Sequence, residues 1–408
     1  MVINLVHTVR YILLVFVVAS LLLSCSKDES MKEPDKQLEW IYSISADVVQ
    51  SFLTMAGQAE TASLIKYPVD IYRFEYPMVY RAQQITASGI IGVPQTTTAS
   101  FPVLCFQHGT LVTKTEAPSL SINTPQNLTI AGLAGAGYIL LIPDLIGFGA
   151  ADDFFHPYLV KQSNVQAVDA MLEAVRNLPS GSFGNVSVND SLFLTGYSQG
   201  GWLTLALLEH LEQNNALPWN IIATACGAGP YNPELVLDYV LNSETYLKPF
   251  FLPYVMLSFI EDGTIYGNMD KYFKEPYATR IPVLYDGIKT GNEIDAALTT
   301  NPHDLFTAEM FNYKSNPGFQ EITASFEKNR VLAWNTGAHI LFIHGANDVY
   351  IPQMLSDSIY NDFIDAGALN VEYEIIAGAD HYSAAAPTIG KTFAWFDSFR
   401  SLRLLVEK

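Results

Sequence analysis

Ser191-Leu192-Phe193-Leu194-Thr195-Gly196-Tyr197-Ser198-Gln199-Gly200-Gly201-Trp202-Leu203-Thr204-Leu205-Ala206 runs from a short apolar strand pattern, through a glycine-bracketed serine, into a helical pattern. A serine on such a sharp strand-to-helix turn holds a strained backbone conformation. The residues two before and two after it must then be small enough to let strand and helix close. Gly196 and Gly200 meet that need. The turn also aims the unpaired N–H groups and the positive dipole end of the following helix at an oxygen that becomes negative during acyl transfer. An ordinary glycine turn can share the pattern G-x-S-x-G. Ser198 as a nucleophile therefore requires an acid and then a histidine further along the chain.

Both arrive in that order. His339-Ile340-Leu341-Phe342-Ile343-His344-Gly345-Ala346-Asn347-Asp348 is a buried-strand pattern that ends in a glycine turn and an aspartate, before Pro352 opens a new helix. Asp348 thus stands at a strand's C-terminal end, where open α/β sheets place their chemistry; its competing reading is a turn or helix N-cap residue. A second strand pattern, Val371 to Ile376, leads into Ala377-Gly378-Ala379-Asp380-His381-Tyr382. His381 is the candidate base, because no other histidine lies C-terminal to Asp348. Asp380 competes as the acid, but adjacent residues in an extended loop point apart.

With these three positions in place, the chain from about residue 68 to 405 resembles an α/β-hydrolase, and is most similar there to secreted lipases and esterases carrying G-Y-S-Q-G-G. The resemblance rests on His108-Gly109 after an early strand, on G-x-S-x-G, on H-G-x-x-D-x-x-I-P from His344 to Pro352, and on G-x-x-H ending at His381. It implies an α/β fold with a mostly parallel sheet flanked by helices and a helical cap insertion. It also implies that Ser198 attacks an ester carbonyl, His381 moves the proton, and Asp348 orients the imidazole. The oxyanion hole would use the N–H of Gln199 and that of Thr110. His108 is expected to fix its loop by hydrogen bonding, and Asp144, in Ile142-Pro143-Asp144-Leu145-Ile146-Gly147, to form a turn. The aromatic stretch Asp153-Phe154-Phe155-His156-Pro157-Tyr158 either packs a long loop or rims the pocket.

Residues 1–24 stand apart from this fold. Tyr11 to Leu23 is an apolar run too short for the roughly 20 residues of a membrane span, and suits a signal-peptide core instead. Leu22-Leu23-Ser24-Cys25 resembles a bacterial lipobox, which implies cleavage before Cys25 and lipid attachment there: a membrane tether, not a span. The charged stretch from Cys25 to Gln37 reads as a flexible tether. Lys27-Asp28-Glu29 is similar to the export signal of Bacteroidetes-type lipoproteins, implying outer-membrane anchoring that faces either the cell surface or the periplasm. Over 408 residues the formal net charge is −19, which argues against a nucleic-acid partner, since phosphate binding needs a basic surface. Cys105 and Cys226 each fall inside an expected core strand, in strands that are not neighbours, and are expected to be buried free thiols. No Cys or His cluster has zinc spacing, and no metal or cofactor is expected.

Strand and helix patterns alternate from about 68 to 228 and again from 338 to 405. The expected organisation is a catalytic core over 38–230 and 335–408, interrupted by a helical cap over 231–334. Tyr246 to Ile260 within it is apolar and aromatic, fit to pack the cap or to line a substrate pocket. Leu38 to Gln58 has helical apolar spacing and is expected to form an N-terminal helix. The chain thus reads as a metal-independent serine carboxylester hydrolase acting on a small-molecule, lipid-linked or polysaccharide-linked ester. The first alternative is a serine peptidase of prolyl-oligopeptidase-like or aminopeptidase type, with too little preceding chain for a propeller. The second is a binding protein on a hydrolase fold, against which every chemical position is filled.

Overall fold

The computed structural model describes residues 37–214 and 219–406; the expected signal segment, Cys25 and nearly all of the tether lie outside them. The strands, in chain order, are β1 (Leu38–Ile44), β2 (Val69–Tyr80), β3 (Gln83–Pro94), β4 (Ala99–Gln107), β5 (Ile139–Pro143), β6 (Val186–Tyr197), β7 (Asn220–Gly227), β8 (Ile340–Gly345) and β9 (Val371–Ile376). They form one sheet in the order β1-β2-β3-β5-β4-β6-β7-β8-β9. β1, β2 and β3 pair antiparallel, as do β3 and β5. From β5 across to β9 every pairing is parallel. The mostly parallel α/β sheet expected from the sequence is the one observed.

The helices are α1 (Ala46–Met55), α2 (Ala59–Leu64), α3 (Pro125–Gly132), α4 (Lys161–Arg176), α5 (Gln199–Asn214), α6 (Pro233–Leu241), α7 (Phe251–Glu261), α8 (Tyr277–Leu284), α9 (Gly291–Ala297), α10 (Pro302–Leu305), α11 (Gln320–Asn329), α12 (Met354–Asp365) and α13 (Ala385–Val406). Successive side chains of a strand point to opposite faces, and the central strands, each with an apolar run in its middle, feed two cores. Val103, Cys105, Leu192, Leu194 and Phe342 enter one core with α4, α5 and the 231–334 segment. Leu104, Phe106, Phe193, Leu341 and Ile343 enter the other with Val49, Leu53, Phe393 and Phe396 of α1 and α13. Continuous apolar runs are what a sheet covered on both faces requires.

The N-terminal expectation needs correction. Leu38–Ile44 is the edge strand β1, paired antiparallel with β2, and the helix begins only at Ala46. Ser45 supplies the N-cap, its hydroxyl accepting from Val48 N–H at 3.4 Å. β-branched and aromatic residues at 40–44 suit a pleated surface, and Trp40 and Ser43 both reach the Asp70 carboxylate on β2. That partner is remote in sequence, so local periodicity could not register it.

Between β7 and β8 the described chain adds six α-helices, three short 3-10 segments and no sheet strand. This insertion returns to the loops at the C-terminal ends of the parallel strands. Tyr254 of α7 donates to the Leu111 carbonyl at 3.3 Å, and Tyr246 donates to that of Tyr350 at 3.1 Å. It is also tied to the core beneath: buried Trp202 of α5 donates to the Asn329 carbonyl at 3.0 Å, and Asn329 Oδ1 accepts from Lys161 N–H at the start of α4. Cys105 and Cys226 are buried free thiols in strands separated by β6. No helix among the described residues is long and apolar enough to cross a membrane.

Candidate active site

Central β6 ends at Tyr197, and α5 starts at Gln199. Ser198 between them has φ +59°, a left-handed value that a residue with a Cβ adopts only under local strain. The fold pins it: Ser198 N–H donates to the Gly227 carbonyl at 2.9 Å, and its own carbonyl accepts from Trp202 N–H at 3.2 Å. A Cβ at Gly196 would overlap the Gly200 carbonyl, and one at Gly200 would overlap that of Gln107. Both glycines are therefore required by backbone crowding around the serine, as the sequence pattern implies.

Three loops converge there. Ser198 follows β6, Asp348 follows β8 and His381 follows β9. Ser198 Oγ lies 2.9 Å from His381 Nε2, and His381 Nδ1 lies 2.6 Å from Asp348 Oδ2. With Nδ1–H donating to the carboxylate, Nε2 is left to accept from the serine hydroxyl. All three residues are buried. Asp380 is exposed and turned to its own loop, where its Oδ1 accepts from Tyr382 and Ser383 N–H.

Asp348 is held from behind as well. Its Oδ1 accepts from the N–H groups of Tyr350 and Ile351, each at 2.9 Å. His344 Nε2 stands 3.3 Å from Oδ2, while donating to the Ile351 carbonyl at 2.8 Å. The other His344 nitrogen accepts from Ser356 Oγ at 2.7 Å. Burial alone would raise the Asp348 carboxyl. The hydrogen bonds from His344 and His381, the His381 charge and the Ile351 N–H outweigh it and hold the group well below the usual carboxylate range. The sequence carries His344 within the H-G-x-x-D pattern, yet no spacing signals its contact with Ser356, which sits on α12.

Gly109 lies against the serine, since a Cβ there would come within 3.8 Å of Ser198 Cβ. Its loop is fixed as expected by His108, whose ring nitrogens lie 2.7 and 3.1 Å from the carbonyl oxygens of Gly109 and Asp144. The turn role expected for Asp144 is not what the structure shows: its carboxylate bonds no group of its own turn. Buried, with its carboxyl raised by that burial, Asp144 accepts from Ser119 N–H at 2.8 Å and Ser88 Oγ at 2.6 Å, tying its loop to the loop after β4 and to strand β3. Thr110 N–H makes no hydrogen bond with a described residue, while Thr110 Oγ1 lies 3.0 Å from the Tyr158 hydroxyl. Gln199 is fully buried at the start of α5, and its side-chain amide donates to His156 Nε2 at 2.9 Å. His156 Nδ1–H in turn donates to the Ile146 carbonyl at 2.7 Å. Burial pushes the His156 imidazole down to about 3, against the bond to Ile146, so the ring stays neutral. The sequence marked His156 only as part of an aromatic loop.

No family model and no curated protein sequence matches this chain. Solved structures do. A Legionella pneumophila protein provisionally described as a hydrolase is 23% identical, with TM-score 0.80 over 89% of this chain and 97% of its own. The ligand-bound form of LipA, a rice cell wall degrading esterase from Xanthomonas oryzae, is 20% identical with TM-score 0.74, covering 88% of this chain and 95% of that one. Candida antarctica lipase A in its closed state is 14% identical with TM-score 0.57, over 84% and 77% of the two chains. At such identities the likeness speaks to architecture, and together with the sheet order and its flanking helices it establishes that this chain has the α/β-hydrolase fold.

Proposed function

We propose that the protein is a serine carboxylester hydrolase. The single observation that carries this reading is the buried hydrogen-bonded line from Ser198 Oγ through His381 to Asp348. Ser198 Oγ attacks the ester carbonyl carbon while its proton passes to His381 Nε2. The Asp348 carboxylate stabilises the resulting imidazolium. The carbonyl oxygen, now negative, is received by the N–H groups of Gln199 and Thr110; losing one such donor typically costs about 100- to 1000-fold in rate. The C–O bond to the alcohol then breaks, and His381 gives its proton to the departing alkoxide. Water repeats the sequence on the acyl-enzyme: His381 takes a proton from it, the acid leaves, and the Ser198 hydroxyl is restored.

The names of the structural neighbours, an esterase and a lipase, support ester over peptide chemistry. The test is hydrolysis of p-nitrophenyl esters from acetyl to palmitoyl by residues 26–408 and by the Ser198→Ala variant, alongside proline and dipeptidyl anilides. Ester turnover that vanishes in Ser198→Ala is the expected result. Cleavage of the anilides alone would replace the esterase reading by a peptidase one. We also propose that Cys25 carries a lipid that tethers the enzyme to the outer membrane, a reading supported by Leu22-Leu23-Ser24-Cys25. Incorporation of labelled palmitate by the full chain, abolished in Cys25→Ser, is the expected outcome; equal labelling of both would end it.

A further inference from the structure

A cavity of about 170 Å³ lies between the loop after β4, the loop after β5 and the helical insertion, and the proposed chemistry leaves it without an occupant. Its walls include Lys114, Phe148, Phe154, Phe155, Tyr254 and Tyr285. We infer that this cavity holds an oxygen-substituted aromatic ring of the substrate, so that the preferred esters are phenolic ones of the hydroxycinnamoyl or hydroxybenzoyl kind. The inference rests on the esterase reading and adds the substrate class to it.

Size, lining, polarity and position point the same way. A closed apolar cavity of about 150 Å³ holds one benzene molecule, so this half-open pocket of about 170 Å³ has room for a single ring with small substituents. Five aromatic side chains in the wall offer edges and faces to a ring, a geometry that a flexible chain cannot exploit. The wall has one cation to spare. Lys114 makes no side-chain hydrogen bond or ion pair with a described residue, whereas Asp286 on the same wall is already paired with Lys289. Lys114 is also held in place, its N–H donating to the Gly287 carbonyl at 2.8 Å and its stem packed over Gly287. Its ammonium supplies three donors to a phenolic or methoxy oxygen.

The cavity is linked to the candidate site through side chains in its wall. His156, in its wall, is the acceptor of the Gln199 side chain. Tyr254 stacks on Tyr158 with centroids 4.5 Å apart, and the Tyr158 hydroxyl meets Thr110 Oγ1. A ring seated there is one side chain, His156, away from Gln199, and two, Tyr254 and Tyr158, away from Thr110, the residues proposed to bind the oxyanion.

Calorimetric titration of the Ser198→Ala protein with methyl ferulate, methyl cinnamate and methyl octanoate reads binding without turnover. Saturable one-to-one binding of ferulate, tighter than that of octanoate, is expected. Val112→Phe in that background fills the cavity and weakens ferulate by about tenfold or more. Phe154→Ala, which removes a partly exposed wall ring, weakens it as well and serves if Val112→Phe does not fold. Lys114→Met weakens ferulate by about 3- to 10-fold, the worth of one hydrogen bond, and cinnamate by less. Ferulate that binds no better than octanoate, or that ignores all three substitutions, overturns the inference. Ser198-dependent hydrolysis of p-nitrophenyl acetate with no ferulate binding would remove the cavity assignment alone. Ferulate binding by a protein that turns over no ester would remove the esterase reading and leave the cavity assigned.

Discussion

Ser198 is held in a left-handed conformation by neighbours that have almost no freedom of their own, and Gly200 is the tightest of them. Gly200→Ala drives a methyl group into the Gln107 backbone and is expected to destabilise the fold by about 1–3 kcal/mol, as overpacking does. Gly337→Ala, where an added Cβ meets nothing within 4 Å, should stay within about 0.5 kcal/mol of the parent. Urea unfolding of the three proteins makes the comparison. His344 acts on Asp348, not on substrate. His344→Ala is therefore expected to lower kcat by about tenfold, or about 1.4 kcal/mol, with KM little changed and the acid limb of the pH–rate profile displaced upward. A rise in KM alone would show that His344 merely shapes the pocket. These roles differ in how readable they are. Ser198, Asp348 and His381 each end or follow a strand pattern at a glycine turn, and that local signature exposes them. His344–Ser356 and Gln199–His156 are contacts between elements, set by how helices and loops pack on the sheet, and no run of sequence encodes them.

At the scale of elements, α5 and α11 are joined by the Trp202 N–H donated to Asn329. Trp202→Phe keeps most of the buried ring but leaves that carbonyl without its donor, which costs about 1–3 kcal/mol; a fall in the urea midpoint with an unchanged slope is the expected reading. An unchanged midpoint would mean that the insertion does not depend on this tie. The sequence rendered the parallel strands well because the central ones carry apolar runs, and β9 at the edge an alternating one, between turn residues. It misrepresented Leu38–Ile44 because the residues that make it a strand, Asp70 and its neighbours on β2, lie far along the chain. Helical spacing at 38, 41 and 44 described a periodicity that the edge pairing overrode. The insertion was legible as a break in the strand rhythm, while the stacking of Tyr254 on Tyr158 was not, being a tertiary contact between α7 and the loop after β5.

For the whole molecule, the buried imidazole of His156 makes stability depend on acidity. Its folded pKa, about 3, lies below the unfolded value of about 6.5, so the fold keeps the ring neutral. The associated stability is complete above the unfolded value and is lost as pH falls from there towards 3, by about 1.4 kcal/mol per pH unit for one proton. Asp348, whose carboxyl is also held low, adds a second loss that begins below about 3.9. Denaturation midpoints measured from pH 7.5 to 4 should decline from the mid-sixes downward, and His156→Asn should flatten that decline. An unchanged slope in the variant would place the sensitivity elsewhere.

The two thiols, sealed in β4 and β7 with their acidities suppressed by burial, have a use that lies outside catalysis. Thiolate is the reactive form, so the folded body is silent to maleimides. A chain beginning at residue 26 with cysteine introduced at exposed Leu247 would carry one addressable label on the insertion, without removal of any native cysteine. A fluorophore there can follow the insertion over the catalytic strands in real time, and slow labelling of Cys105 and Cys226 in the same sample clocks global opening.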